Sequence, residues 1–378
     1  MKIVYCISAM FKSGGIERVI ANKVNYLVNH GYEACIITTD QAGHPDFFPI
    51  DERVERVDLG LNYDQFDELS PWKRYWKTYQ LRSQHKARLE AELKRLHADI
   101  TVSVWRQEAS FLPDLKDGSR KILELHTSKF APVRMYPVGS KLKRQFGHLR
   151  VAIQERVAAR YDRFVILTHE EKPFWKGFSN LSVIPNPLSF NSQKRADATA
   201  HRVMIAGRME YVKNFPELLQ IWARVAPDFP DWQLHIYGDG WMLDALKNKA
   251  DVLGIAPQVI FEGAVSDMET AYASSSIYVM TSHFEGLPMV LIEAQSVGLP
   301  AVSYMCSSGP RDIITDGKDG FLVELYDQET FAERLRTLMQ DEELRRSMGQ
   351  AAEVASHRYD LDVIMPQWLS LFNELSAS

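Results

Sequence analysis

The sequence predicts an α/β protein built as two doubly wound domains facing a central cleft. Short apolar runs rich in β-branched residues alternate with helix-like runs nearly throughout, the signature of parallel strands covered on both faces. The alternation breaks once, at Asn186-Pro187 and the small, polar stretch 188–200, which reads as a linker. The length of 378 residues suits two domains of ordinary size.

The elements follow in order. Residues 2–8 (KIVYCIS) form the first strand, and 16–29 have helical periodicity stopped by Gly31. Further strand-like runs lie at 34–39, 100–105, 121–125 and 164–168, separated by charged helical stretches. These make a first domain, 1–186, followed by the linker 187–200. A second series begins at Arg202, with strands at 203–206, 233–237, 259–262, 277–280, 301–304 and 320–323. It makes a second domain, 201–358. In the last segment, 359–378, Val363, Ile364, Trp368, Leu371, Phe372 and Leu375 mark a helix over 361–375 that is expected to cross back to the first domain. Sheets of this kind bind ligands outside the carboxyl ends of their strands, so both sets of ends are expected to meet in the cleft.

Composition narrows the class. Hydrophobic residues are 46% and charged residues 25%, the balance of a soluble globular protein. Three scattered cysteines, Cys6, Cys35 and Cys306, form no CxxC pair and point to a reducing compartment without a disulfide framework. The apolar start is too short for a signal peptide, and no apolar run is long enough to span a bilayer. A cytoplasmic protein is expected. Residues 1–190 hold 29 Lys/Arg and 22 Asp/Glu, net +7, whereas the remaining 15 Lys/Arg and 27 Asp/Glu give −12. Such asymmetry fits domains facing different partners.

Glu285-Gly286-Leu287-Pro288-Met289 follows an apolar strand and opens a helix, with Pro288 suited to its first turn. Backbone N–H groups left free there, at the positive helix end, suit sugar hydroxyls or phosphate oxygens. Glu285 stands at the strand tip, and Glu293 lies further along the same helix. A capped turn and a solvated helix carboxylate are the plain alternatives. Gly207-Arg208 and Lys213 follow another strand, and these two cations can converge on one anion. Ser13-Gly14-Gly15-Ile16-Glu17-Arg18 joins the first strand to the first helix, where glycines let backbone approach a phosphate. His126 ends the strand at 121–125.

These motifs resemble glycosyltransferase family 4, whose fold is GT-B: two Rossmann-like domains around a cleft. The resemblance spans about 202–325 strongly and the first half more weakly. Two glutamates separated by seven residues, then Gly298-Leu299-Pro300, match the family's pattern. The resemblance implies that Glu285 contacts the donor sugar, Glu293 the ribose, and Arg208 and Lys213 the diphosphate. Many members have Gly where this chain has Asn214. Gly238, Gly263 and Val265 match the family's turns near the nucleotide, and Gly14, Gly15, Gly286, Leu287 and Met289 are carried over as donor-binding. His126 matches a His near the reacting sugar; a capped loop histidine is the alternative. The implied reaction is a retaining, metal-independent transfer from a nucleotide sugar, UDP favoured over GDP, with no cofactor. No Asp-x-Asp pair is placed to hold a metal-bound diphosphate. The acceptor is expected to be a saccharide, lipid-linked in surface polysaccharide synthesis. A nucleotide-sugar epimerase and a non-catalytic sugar-nucleotide binder share the fold. An NAD-linked dehydrogenase does not fit, since no G-x-G-x-x-G follows either first strand.

Two basic stretches complete the reading. Trp72, Lys73, Arg74, Tyr75, Trp76 and Lys77 lead into Arg82, Lys86 and Arg88, and a second group comprises Lys141, Lys143, Arg144, Arg150, Arg156 and Arg160. Aromatics interleaved with cations suit an anionic membrane or an anionic acceptor. A solvated helix face explains the same charges. Nucleic acid is not expected, because no binding motif is present and the net charge is −5.

Overall fold

A computed structural model describes residues 1–136, 140–190 and 192–377. The first sheet holds β1 (Lys2–Ile7), β2 (Glu33–Thr38), β3 (Glu55–Asp58), β4 (Ile100–Ser103), β5 (Arg120–Leu125), β6 (Arg163–Ile166) and β7 (Leu181–Val183). The second holds β8 (Arg202–Ala206), β9 (Gln233–Tyr237), β10 (Val259–Gly263), β11 (Ile277–Met280), β12 (Ala301–Tyr304) and β13 (Gly320–Val323). The strand orders are β3-β2-β1-β4-β5-β6-β7 and β10-β9-β8-β11-β12-β13. All neighbours pair in parallel. The order reverses beside β1 in one sheet and beside β8 in the other, the crevices where such sheets take ligands.

Burial on both faces explains the continuous apolar runs. Along β1, Ile3, Tyr5 and Ile7 pack with Val24 and Leu27 of the helix Gly15–Asn29. The alternate residues Val4 and Cys6 pack on the other face with Leu89, Leu93 and Leu96 of the helix Pro71–Leu96. Predicted and observed strands agree to within two residues at each end. The first strand stops at Ile7, the run at 100–105 stops at Ser103, and that at 164–168 stops at Ile166. Two strands had no sequence signal. β3 and β7 are short edge strands without a fully buried residue.

Two connections position the domains. The helix Leu361–Ser376 buries Ile364, Met365, Trp368, Leu371, Phe372 and Leu375 in the core around β1, so the chain's end rejoins the first domain. Val363, grouped with these in the sequence, is exposed. Across the cleft, the loop after β6 is clasped by the second domain. The backbone N–H groups of His169 and Glu170 donate to Asp312. Glu170 in turn accepts from Gly309 N–H (3.0 Å) and Arg311 (2.6 Å), and Glu171 from the Ser308 hydroxyl.

Candidate active site

The strand tips of β8 and β11 bring Lys213 and Glu285 together. Lys213 Nζ lies 2.8 Å from Glu285 Oε1, with only 19% and 13% of the two side chains exposed. Gly207 makes this possible: a Cβ there would stand 2.9 Å from Lys213 Cε. Asn214 adopts a left-handed φ of 53°, which explains why glycine is suited to this position and why asparagine serves. Its amide donates to Glu217 at 2.5 Å, and the Tyr304 hydroxyl donates to the other Glu217 oxygen at 2.8 Å. The loop is therefore held without glycine. Arg208 does not converge with Lys213 as expected. Its side chain is 78% exposed and, among the described residues, pairs with Glu210 at 3.2 Å.

The turn after Glu285 faces the first domain. A Cβ on Gly286 would fall on the His126 carbonyl and 2.9 Å from Thr127 Cα, so glycine lets the domains touch here. Pro288 is the N-cap of the helix Met289–Ser296 rather than a residue of its first turn, and Leu287 is buried behind it. Glu293 points inward at 7% exposure. It accepts from the Tyr272 hydroxyl at 2.8 Å, and Arg18 approaches from the first domain at 3.7 Å. Tyr272 was not foreseen as a site residue. Arg18 was visible only as a neighbour of Gly14 and Gly15.

His126 is more enclosed than a loop histidine, with 5% of its side chain exposed. Its Nε2 is 3.0 Å from Glu124 Oε2, and its Nδ1 is 3.4 Å from the Asn186 amide. Glu124 also meets Lys23 Nζ at 2.8 Å, and both of those side chains are fully buried. Burial pushes the Glu124 carboxyl up, but Lys23 and His126 outweigh it and hold the group below the ordinary carboxylate range.

The glycines divide by role. Gly14 caps the first helix, and a Cβ there would strike the Glu17 carboxylate, which folds back over it; Gly15 has open space. Gly238 is required by packing, since a Cβ would strike the Gly207 carbonyl. Gly263 turns at φ 75° into open space and Val265 beyond it is exposed, leaving that edge of the cleft free. Beside it, a cavity of about 250 Å³ between the domains is lined by Arg18, Phe48, Ser189, Ser266 and Met268. A second cavity of about 350 Å³ opens at the ends of β1, β2 and β4, lined by Lys12, Asp40, Tyr63, Trp105 and Arg106. Trp105 has φ 60°, a strained conformation for a bulky residue and a frequent mark of functional sites.

The basic stretches separate in the same way. Trp72, Tyr75 and Trp76 are exposed at 83%, 63% and 60% on the first turns of the helix Pro71–Leu96. Arg74 is paired with Asp67 at 2.9 Å. Arg82 and Arg88 hydrogen-bond to Ser110 and the Leu59 carbonyl, and Arg160 to Ser110 and Asp114, while all three stay exposed. They tie their helices down and still present charge.

A family model for glycosyl transferases group 1 matches residues 190–354. An uncharacterized glycosyltransferase of Haemophilus influenzae is 29% identical over 97% of this chain and 98% of its own length. The amylovoran biosynthesis glycosyltransferase AmsD of Erwinia amylovora is 28% identical over 98% and 99%. The chain is a GT-B glycosyltransferase. An exopolysaccharide phosphotransferase of Streptomyces coelicolor is also 29% identical over 99% of this chain, which spans only 41% of that longer protein. Among solved structures, TarM superposes with a TM-score of 0.80 at 16% identity, covering 98% of each chain. Sucrose-phosphate synthase from Thermosynechococcus elongatus gives 0.83 at 15%, covering 100% of this glycosyltransferase and 99% of its own chain. At those identities the likeness is one of fold.

Proposed function

We propose that this glycosyltransferase moves a sugar from a UDP-linked donor, with retention and without a metal, onto a lipid-linked saccharide of a surface polysaccharide. The observation that carries the reading is the covered Lys213–Glu285 pair at the tips of β8 and β11. One cation and one carboxylate stand side by side at the crevice of the second sheet, which supports a diphosphate and a sugar being held there. Lys213 neutralises charge that develops on the leaving diphosphate, and Arg208, on its exposed loop, closes on the same group. Glu285 orients the sugar by accepting from its hydroxyls. Glu293 takes the ribose hydroxyls, with Tyr272 fixing one carboxylate oxygen. The acceptor hydroxyl attacks on the face the diphosphate leaves, and a donor phosphate oxygen takes its proton. The cavity at Asp40 and Trp105 offers the acceptor an aromatic wall and a buried carboxylate. AmsD is named for amylovoran biosynthesis, and one relative in Campylobacter jejuni is named for an undecaprenol-linked acceptor. TarM, one structural neighbour, is described in complex with UDP.

A thermal-shift screen of UDP- and GDP-sugars, followed by anomeric analysis of the product, tests this reading. UDP at a hundred times its dissociation constant should add about 2.7 kcal/mol of stability. The product anomer should match the donor's, and EDTA should leave the rate intact. Inversion, or loss of rate restored by manganese, would remove the roles given to Lys213 and Arg208.

Membrane docking is the second part of the proposal. Besides the Trp72 face, the helix Lys141–Ala158 exposes Leu142, Phe146, Leu149 and Ile153, an i, i+4, i+7, i+11 stripe, between Lys141, Lys143, Arg144 and Arg150. No helix among the described residues is long and apolar enough to cross a membrane. Each cation near an anionic bilayer contributes about 1 kcal/mol, fading with salt. The protein should sediment with anionic vesicles at low salt and release at high salt. Lys73→Glu/Lys77→Glu should weaken sedimentation and spare activity on a water-soluble acceptor. Indifference of the wild type to anionic vesicles at low salt would reduce this face to solvated surface.

A further inference from the structure

A fully buried lysine and glutamate stand behind His126, and nothing in the donor chemistry above uses them. Lys23 lies on the helix Gly15–Asn29, 101 residues from its partner on β5. Its ammonium is 2.8 Å from Glu124 Oε2 and 3.8 Å from the ring centre of Trp368, on the helix that returns from the second domain. The same Glu124 oxygen meets His126 Nε2 at 3.0 Å. Glu124 Oε1 and the nearby Asn186 Oδ1 are buried without a hydrogen-bond partner among the described residues. A buried ion pair contributes little net stability, because desolvation offsets its attraction. An apolar pair of the same volume would serve the core as well. Retention of charge here points to what the charge holds in place.

The chemistry of the contact fixes the ring. An ionised carboxylate only accepts hydrogen bonds, so Nε2 carries a proton, and in the neutral ring Nδ1 then keeps a lone pair. That lone pair faces Asn186 Nδ2 at 3.4 Å, beyond a normal bond length. Asn186 ends the first domain, immediately before Pro187 and the linker. On the other side, the His126 carbonyl abuts Gly286, next to Glu285.

We propose that Lys23 and Glu124 are positioning residues that hold His126 as a neutral hydrogen-bond acceptor, its Nδ1 loosely held by the hinge amide of Asn186 until a substrate hydroxyl replaces it. This deepens the glycosyl-transfer reading and rests on it for the identity of that hydroxyl. His126 then orients a sugar by accepting a hydrogen bond and supplies no proton. Glu124 and Lys23 act only through it.

Two experiments decide it. In protein labelled with ¹⁵N-histidine, long-range ¹H–¹⁵N spectra should show His126, assigned by His126→Gln, with its proton on Nε2 and protected from exchange. A proton on Nδ1, or an unprotected Nε2–H, overturns the proposal whatever the enzyme's substrate. The second is a mutant cycle. Lys23→Met/Glu124→Leu replaces the pair by an apolar one, which buried pairs commonly tolerate, and a Met sulfur suits the Trp368 ring. UDP affinity by calorimetry should stay within about twofold, while UDP release from UDP-glucose or UDP-N-acetylglucosamine should fall on the order of tenfold. In a His126→Ala background the same double change should cost nothing further. A loss that persists there, or a parallel loss of UDP affinity, makes the pair a structural element and overturns its role. If the wild type turns over no nucleotide sugar, the transfer reading fails while the spectra still judge the pair.

Discussion

Glu285→Gln should lower turnover of the nucleotide sugar at least about a hundredfold, the effect of removing one group that meets developing charge or a reacting sugar, yet leave UDP affinity equal or better. The structure supplies the second half of this expectation. Glu285 Oε1 is the counter-ion of Lys213 at 2.8 Å. Glutamine keeps the shape and loses the charge, so the ammonium is freed for the diphosphate. Charge-assisted hydrogen bonds contribute about 1.5–3 kcal/mol, enough for a visible gain in calorimetry with UDP alone. Steady-state kinetics and calorimetry on one preparation separate the two effects. A matched loss of UDP affinity would place Glu285 on the nucleotide instead of the sugar.

The fold was legible because both faces of the central strands are covered. A strand such as β11 (IYVM) has no polar residue to confuse the pattern. β3 (ERVD) and β7 (LSV) lie at the edges, half wet, and carry no such run. The places of the motif residues were legible too, since a Gly, an Arg or a Glu marks where an apolar run stops. Pairing between distant residues was not. Whether Arg208 joins Lys213 or bends away to Glu210 depends on side-chain directions that spacing does not set. Arg82 and Arg88 looked like free docking charges, and each is exposed but tied to a neighbour that spacing does not reveal. Glu124 did leave a signal, as a lone charge within the apolar run of β5. Lys23 did not, because it stands beside Asn22 and near Asn25 on an amphipathic helix, where a lysine reads as a solvated residue.

Lys213→Met is expected to damage binding and chemistry together, which distinguishes it from Glu285→Gln. With 19% of its side chain exposed, Lys213 would meet the proposed diphosphate in a partly dry site. Losing one charge-assisted bond should weaken UDP by roughly ten- to a hundredfold, from about 1.5–3 kcal/mol. Turnover should fall further, by on the order of another hundredfold, because charge on the leaving diphosphate peaks in the transition state. The variant also strands Glu285, 13% exposed, without its cation. Part of any loss could then come from a disturbed turn rather than from missing charge. Lys213→Met/Glu285→Gln removes that ambiguity. The double variant should recover the thermal stability lost by the single one, since no uncompensated charge remains, and should recover neither UDP affinity nor turnover. If UDP affinity returns with stability, Lys213 serves only to neutralise Glu285, and the diphosphate must be held by Arg208 and backbone alone.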